Sequence, residues 1–118
     1  MIKIITVKLE GRKVTISPPG CDMPHGRHDI EWRLEDDSRN YDFDIPPVSF
    51  DDPRAPIINI SPNDKFATCT DVNQNETPGG ISYGYHVFLK DTAGHTITYP
   101  AYEDPKSDGD PYIHNRPK

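Results

Sequence analysis

Apolar residues in this chain recur at every second position, in short runs set apart by turns. A period of two puts one set of side chains on one face of a strand and the remainder on the other. Ile5, Val7 and Leu9 alternate with Thr6, Lys8 and Glu10, which predicts a half-buried strand. Ile2 and Ile4 have the opposite parity, so a bulge or a change of buried face is expected near Ile4. Gly11-Arg12 then turns the chain into Val14 and Ile16, a hairpin that Pro18-Pro19-Gly20 stops. The clearest strand is HDIEWRLED, with Ile30, Trp32 and Leu34 facing one way and Asp29, Glu31, Arg33 and Glu35 the other. Asp36-Asp37-Ser38 turns into YDFDI, where Tyr41, Phe43 and Ile45 alternate with Asp42 and Asp44. Pro46-Pro47 is expected to end that strand, leaving Val48 and Phe50 as a short edge piece.

Ile58 and Ile60 mark another short strand, whereas KFATCTDV mixes apolar and polar positions without an assignable face. NQNETPGG reads as a loop. In SYGYHVFLKD, Tyr83, Tyr85, Val87 and Leu89 share one face while His86 and Phe88 lie on the other. Large groups on both faces imply cover on both sides, by the Pro-rich tail or by another subunit. Asp91-Thr92-Ala93-Gly94 turns into Ile97 and Tyr99, and the stretch 100–118 reads as a Pro/Asp-rich tail. No segment carries a helical period. The pattern predicts one all-β domain over 1–118, an antiparallel sandwich of about seven or eight strands without substantial helix.

Composition sharpens this picture. A hydrophobic fraction of 33% is low beside roughly 45–50% in a typical globular domain. The core is therefore expected to be thin, and self-association would complete it. The net charge of -6 and the absence of a basic stripe argue against nucleic-acid binding and against an anionic membrane surface. No run approaches a membrane span and no leader segment is visible in MIKIITVKLEGRK, so a cytoplasmic protein with reduced cysteines is expected. The expected partner is a second copy or another protein; a basic partner or a divalent cation would suit the charge.

Two passages resemble the immunoglobulin-like class: the tryptophan in Ile30-Glu31-Trp32-Arg33-Leu34, and Tyr83-Gly84-Tyr85-His86-Val87 running into Asp91-Thr92-Ala93-Gly94. Cys21, Trp32 and Cys69 also resemble the Cys…Trp…Cys framework of that class, which would imply a disulfide; the Pro/Gly setting of Cys21 departs from it. The Trp strand, the double proline, and the Glu103-Asp104-Pro105 and Asp110-Pro111 groups make the chain similar to a small bacterial family called DP-EP. That resemblance implies an immunoglobulin-like or cupredoxin-like sandwich and no established activity.

The loop CDMPHGRH gathers the ligand types of a blue-copper centre, but in the order Cys, Met, His, His rather than Cys, His, Met. A simpler transition-metal site built from Cys21, His25 and His28 fits the spacing, with Gly26 curling the loop, beside the plainer reading of a solvated polar loop. No other cofactor is expected. Asp104, Asp108 and Asp110, and likewise Asp36, Asp37, Asp42 and Asp44, offer oxygen ligands for calcium, but without an EF-hand spacing, and read as solubilising charge. His95 and His114 read as turn and tail residues. There is no nucleophile elbow, HExxH, phosphate loop or dinucleotide fingerprint. The expected function is a non-catalytic interaction module binding a protein or itself. The alternative is a metal-binding protein using Cys21, His25 and His28, and a small enzyme on a sandwich scaffold is the third reading.

Overall fold

A computed structural model describes residues 2–105 and 110–118. Ten strands run in chain order as β1 (Ile2–Glu10), β2 (Lys13–Ser17), β3 (Gly20–Met23), β4 (Gly26–Asp36), β5 (Tyr41–Phe50), β6 (Ile57–Asn63), β7 (Phe66–Asn73), β8 (Ile81–Asp91), β9 (Thr96–Tyr99) and β10 (Tyr112–Asn115). The described residues contain no helix. One sheet has the order β2-β1-β4-β7-β6; the other has the order β3-β10-β8-β5, with β9 also paired to β8. The chain is an all-β sandwich. Its core lies between the sheets, where Ile5, Val7, Leu9, Ile30, Trp32 and Ala67 of the first face Tyr85, Val87, Leu89 and Ile113 of the second.

The alternating runs sit where the pattern placed them. Ile5, Val7 and Leu9 are buried on β1, and Ile30, Trp32 and Leu34 on β4. Gly11, with φ of 63°, makes the expected hairpin turn between β1 and β2.

Strand direction is where the sandwich departs from an all-antiparallel arrangement. β1 pairs with β4 in parallel, and so does β3 with β10. The cause is the route after the first hairpin. Ser17-Pro18-Pro19 carries the chain from β2 in the first sheet to β3 in the second, and β4 then returns to the far side of β1. Side-chain alternation reports which face is buried and is silent on direction, so the sequence pattern could not show it.

Four local expectations are corrected. No bulge occurs near Ile4: the β1–β4 register runs unbroken from Ile2 to Leu9, and Ile2 and Ile4 simply face outward. Pro46-Pro47 does not end β5, which continues to Phe50 through a register shift between Phe43 and Val48. That shift reverses parity, so Tyr41 and Phe43 point inward, then Val48, while Ile45 is 79% exposed. Ile58 and Ile60 do lie on a strand as expected, the exposed edge strand β6, whose pairing is interrupted between Ile58 and Ser61. Residues 112–115 of the expected tail form β10, which lies between β3 and β8 and buries Ile113.

β7 was unreadable for a physical reason. Its inward positions are Ala67, Cys69, Asp71 and Asn73, so the apolar face turns polar halfway along the strand.

Candidate functional site

The outer face of β8 carries Ser82, Gly84, His86 and Phe88, because Tyr83, Tyr85, Val87 and Leu89 occupy the core face. The segment after β9 covers this outer face. His86 is buried there: its Nδ1 lies 2.5 Å from the Pro100 carbonyl oxygen and its Nε2 2.9 Å from Asp51 Oδ1. The Tyr102 ring stacks on the imidazole at a centroid distance of 4.0 Å, and Phe88 meets the same ring at 6.4 Å. The Pro-rich stretch, one of the two covers anticipated for this face, supplies these contacts from within the chain.

Between the strap and the sheet lies a cavity of about 580 Å³, bounded by Gly84, Ser82, His86, Tyr102, Tyr112 and Asp104, with Asp51 and Asp110 also contributing. This size falls within the range of roughly 300–1,000 Å³ that suits small groups or ligands. Gly84 is the glycine of β8 that lines the cavity, and a glycine inside a strand often marks a close approach. Tyr112, the neighbour of Gly84 on β10, lays its ring over Gly20, where a Cβ would collide at 2.3 Å.

The cavity has few groups equipped for catalysis. Both nitrogens of His86 are directed at oxygen acceptors, so neither is aimed at the cavity as a base. Ser82 Oγ and His114 Nδ1 are 2.7 Å apart, joining β8 to β10. Among the described residues, no carboxylate bonds His114 to complete a nucleophilic triad.

The loop residues singled out as metal ligands have these settings. Cys21 faces the core from β3 with Sγ 3.9 Å from Met23 Sδ, and burial pushes its thiol up. His25 lies in the link between β3 and β4, and its carbonyl oxygen is 3.4 Å from His28 Nε2. Among the described residues, no three His, Cys, Asp or Glu side chains are grouped to hold a metal ion. Cys21 on β3 and Cys69 on β7 are both free thiols, so the Cys…Trp…Cys resemblance does not extend to a disulfide. Asp104 and Asp110 line the cavity, while Asp108 lies outside the described residues. Asp42 and Asp44 pair with Lys65 and Lys90. Asp36 accepts bonds from the Ser38 and Tyr41 amides, and Asp37 accepts from the Gly11 amide. His95 sits in its turn, paired with Asp91, whereas His114 belongs to β10.

A second polar region lies at the end of the sandwich where β3, β4, β7 and β10 meet. Asp71 and Asn115 are fully buried, and Asn115 Nδ2 donates to Asp71 Oδ1 at 3.0 Å. Asn73 Nδ2 lies within 3.2 Å of the carbonyls of Met23, Pro24 and Arg116, tying together the strand ends. Burial pushes the Asp71 carboxyl up from 3.8 to about 6, against the opposing pull of the Asn115 hydrogen bond and the His28 charge. Between those two values the folded chain keeps a proton that the unfolded chain has released. The stabilisation belonging to the protonated form is therefore full below pH 3.8 and is lost as pH rises through about 6. Asp71→Asn should flatten that decline, and thermal melts across the window will show it if Asp71 is its source.

Sequence reasoning missed His86–Asp51 and Ser82–His114 as pairs because each joins separate segments. The one local signal was Gly84, a glycine inside an otherwise bulky alternating strand. Compared with known proteins, the chain matches no family model and no curated relative.

Proposed function

We propose that this protein is a non-catalytic binding module that takes a basic side chain of a partner protein into the cavity on the outer face of β8. The observation that carries this reading is the cavity itself, with Gly84 in its lining, aromatic walls at Tyr102 and Tyr112, and a rim carboxylate at Asp104. Tyrosine faces attract cations, and a carboxylate nearby adds direction to that attraction. The net charge of -6 favours encounter with a basic partner and disfavours a second copy of the same chain.

Two edge strands, β5 and β6, favour a face rather than strand addition as the binding surface. β5 carries Pro46-Pro47 at its register shift, and β6 is broken between Ile58 and Ser61. Such irregularities blunt edge pairing between chains. On this reading the immunoglobulin-like or cupredoxin-like frame serves as a rigid support for the strap that closes the site.

Selection from a displayed peptide library tests the proposal, with Gly84→Leu as the filled-cavity control. Peptides enriched on the native chain should carry Lys or Arg at one fixed position. They should bind Gly84→Leu weaker by about tenfold or more, or ~1.4 kcal/mol, with the melting temperature retained. Ser82→Trp, at the rim, provides a second block should the leucine disturb β8. Enrichment that is indifferent to both substitutions, or that selects no basic residue, would overturn the reading.

A further inference from the structure

We propose that His28 Nδ1, Asp71 Oδ2 and Asn115 Oδ1 bind a single divalent transition-metal ion at the end of the sandwich. Among the described residues, these are the three buried side-chain nitrogen or oxygen atoms that have no hydrogen-bond partner. They belong to one neighbourhood. His28 and Asp71 are directly opposed across the antiparallel β4–β7 pair. Asn115, from β10, holds the other oxygen of the same carboxylate at 3.0 Å. Buried polar atoms seldom go unpaired, and three on adjoining residues point to a guest.

The donor set matches an ion of the zinc, nickel or cobalt kind. It supplies one imidazole nitrogen, one carboxylate oxygen and one amide oxygen, with no soft sulfur. The surrounding bonds also suit a metal. His28 Nε2 lies 3.4 Å from the His25 carbonyl oxygen. Donation from that nitrogen leaves the lone pair on Nδ1, the arrangement by which a backbone carbonyl orients a metal-binding histidine. The Asn115 amide bond likewise fixes Asp71 so that Oδ2 is the oxygen left open. His25 thus supports the site through its backbone, and its side chain is not needed. Cys21 is turned toward Met23 Sδ and takes no part. The site shares no residue with the β8 cavity, so its fate is independent of the binding module proposed above.

The test uses the untagged full chain, stripped with a chelator and titrated separately with zinc and with cobalt(II). Native mass spectrometry reads stoichiometry, and thermal melts and the cobalt absorption spectrum read the bound state. One ion per chain and a raised melting temperature are expected. Affinity should fall by roughly a hundredfold or more in Asp71→Asn and in His28→Gln, and stay unchanged in His25→Ala and Gly84→Leu. Asp71→Asn preserves the shape of the side chain, and a cooperative melt without metal will show that it still folds. Absence of a stoichiometric ion on the native chain, with only buried water filling the gap, would overturn the proposal. So would an ion that survives both substitutions, or one lost when His25 or Cys21 is replaced.

Discussion

Trp32→Ala is expected to destabilise the fold by about 3–5 kcal/mol, a large share of the roughly 5–15 kcal/mol that holds a domain of this kind together. The side chain is fully buried on β4 and meets the Tyr85 ring of the opposite sheet edge-on, at a centroid distance of 5.5 Å. Its indole Nε1 donates to Tyr85 Oη at 3.2 Å. Two losses therefore coincide in the alanine variant: a void at the centre of the sandwich, and a tyrosine hydroxyl left in the core without its donor. Tyr85 is itself 1% exposed, and burial pushes its hydroxyl up, so ionisation offers the orphan no escape. Urea unfolding should show a lower midpoint with an unchanged slope. Trp32→Phe should fall between the two, since it keeps most of the ring volume and loses the donor. A double cycle with Tyr85→Phe then separates the bond from the packing. A Trp32→Ala midpoint equal to that of the native chain would mean that the two sheets are not joined through this pair.

Ending the chain after Pro111 is expected to abolish cooperative folding. β10 is only four residues long, yet it sits inside the second sheet with β3 on one side and β8 on the other. Its removal strips pairing from both neighbours and exposes the core that Ile113 covers. It also unties the strand ends, because Asn75 Nδ2 donates to the Asn115 carbonyl and the Arg116 amide donates to the Met23 carbonyl. Ile113→Asp is the milder version, placing an unpaired charge at a fully buried position. Circular dichroism and amide dispersion in one-dimensional NMR provide the readout. A shortened chain that still melts in one sharp transition would make β10 an accessory strand.

How much of this was legible in the sequence follows from what each strand carries. β4 alternates strictly, and β1 from Ile5 and β8 from Tyr83 carry an apolar residue at every second position, so Ile5, Trp32 and Tyr85 announced their faces. β10 did not, because YIHN has a single aliphatic residue and follows a run of Pro, Asp and Gly. Strand length and periodicity are too weak a signal over four residues. Ile45 misled for the opposite reason: its parity was right for the core until the register shift at Pro46-Pro47 turned it outward.

The candidate sites were less readable still. CDMPHGRH suggested a local metal loop, but alternation along β3 and β4 sends Cys21 into the core and leaves His28 facing Asp71. Asp71 and Asn115 carry no signal in the sequence, since nothing in their neighbours shows that both point inward. The β8 cavity depends on Asp51, His86, Tyr102 and Tyr112, which four separate segments supply. Contacts of that kind are set by topology; the large groups on both faces of β8 pointed to a cover there, not to these partners.

The pairing of β3 with β10 has a consequence for how the chain is made. Gly20 finds its partner in Tyr112, so an early-synthesised strand waits for roughly ninety further residues before its edge is satisfied. β1 and β4 can associate long before that. The first sheet is therefore able to form during synthesis, while the second closes only once residues 112–115 are available. Pairings so distant along the chain place folding toward the slow end, on the order of milliseconds to seconds. During that interval the edge that β3 turns to β10 stays unpaired, and protection of this half-built layer becomes a task for the cell rather than for the sequence.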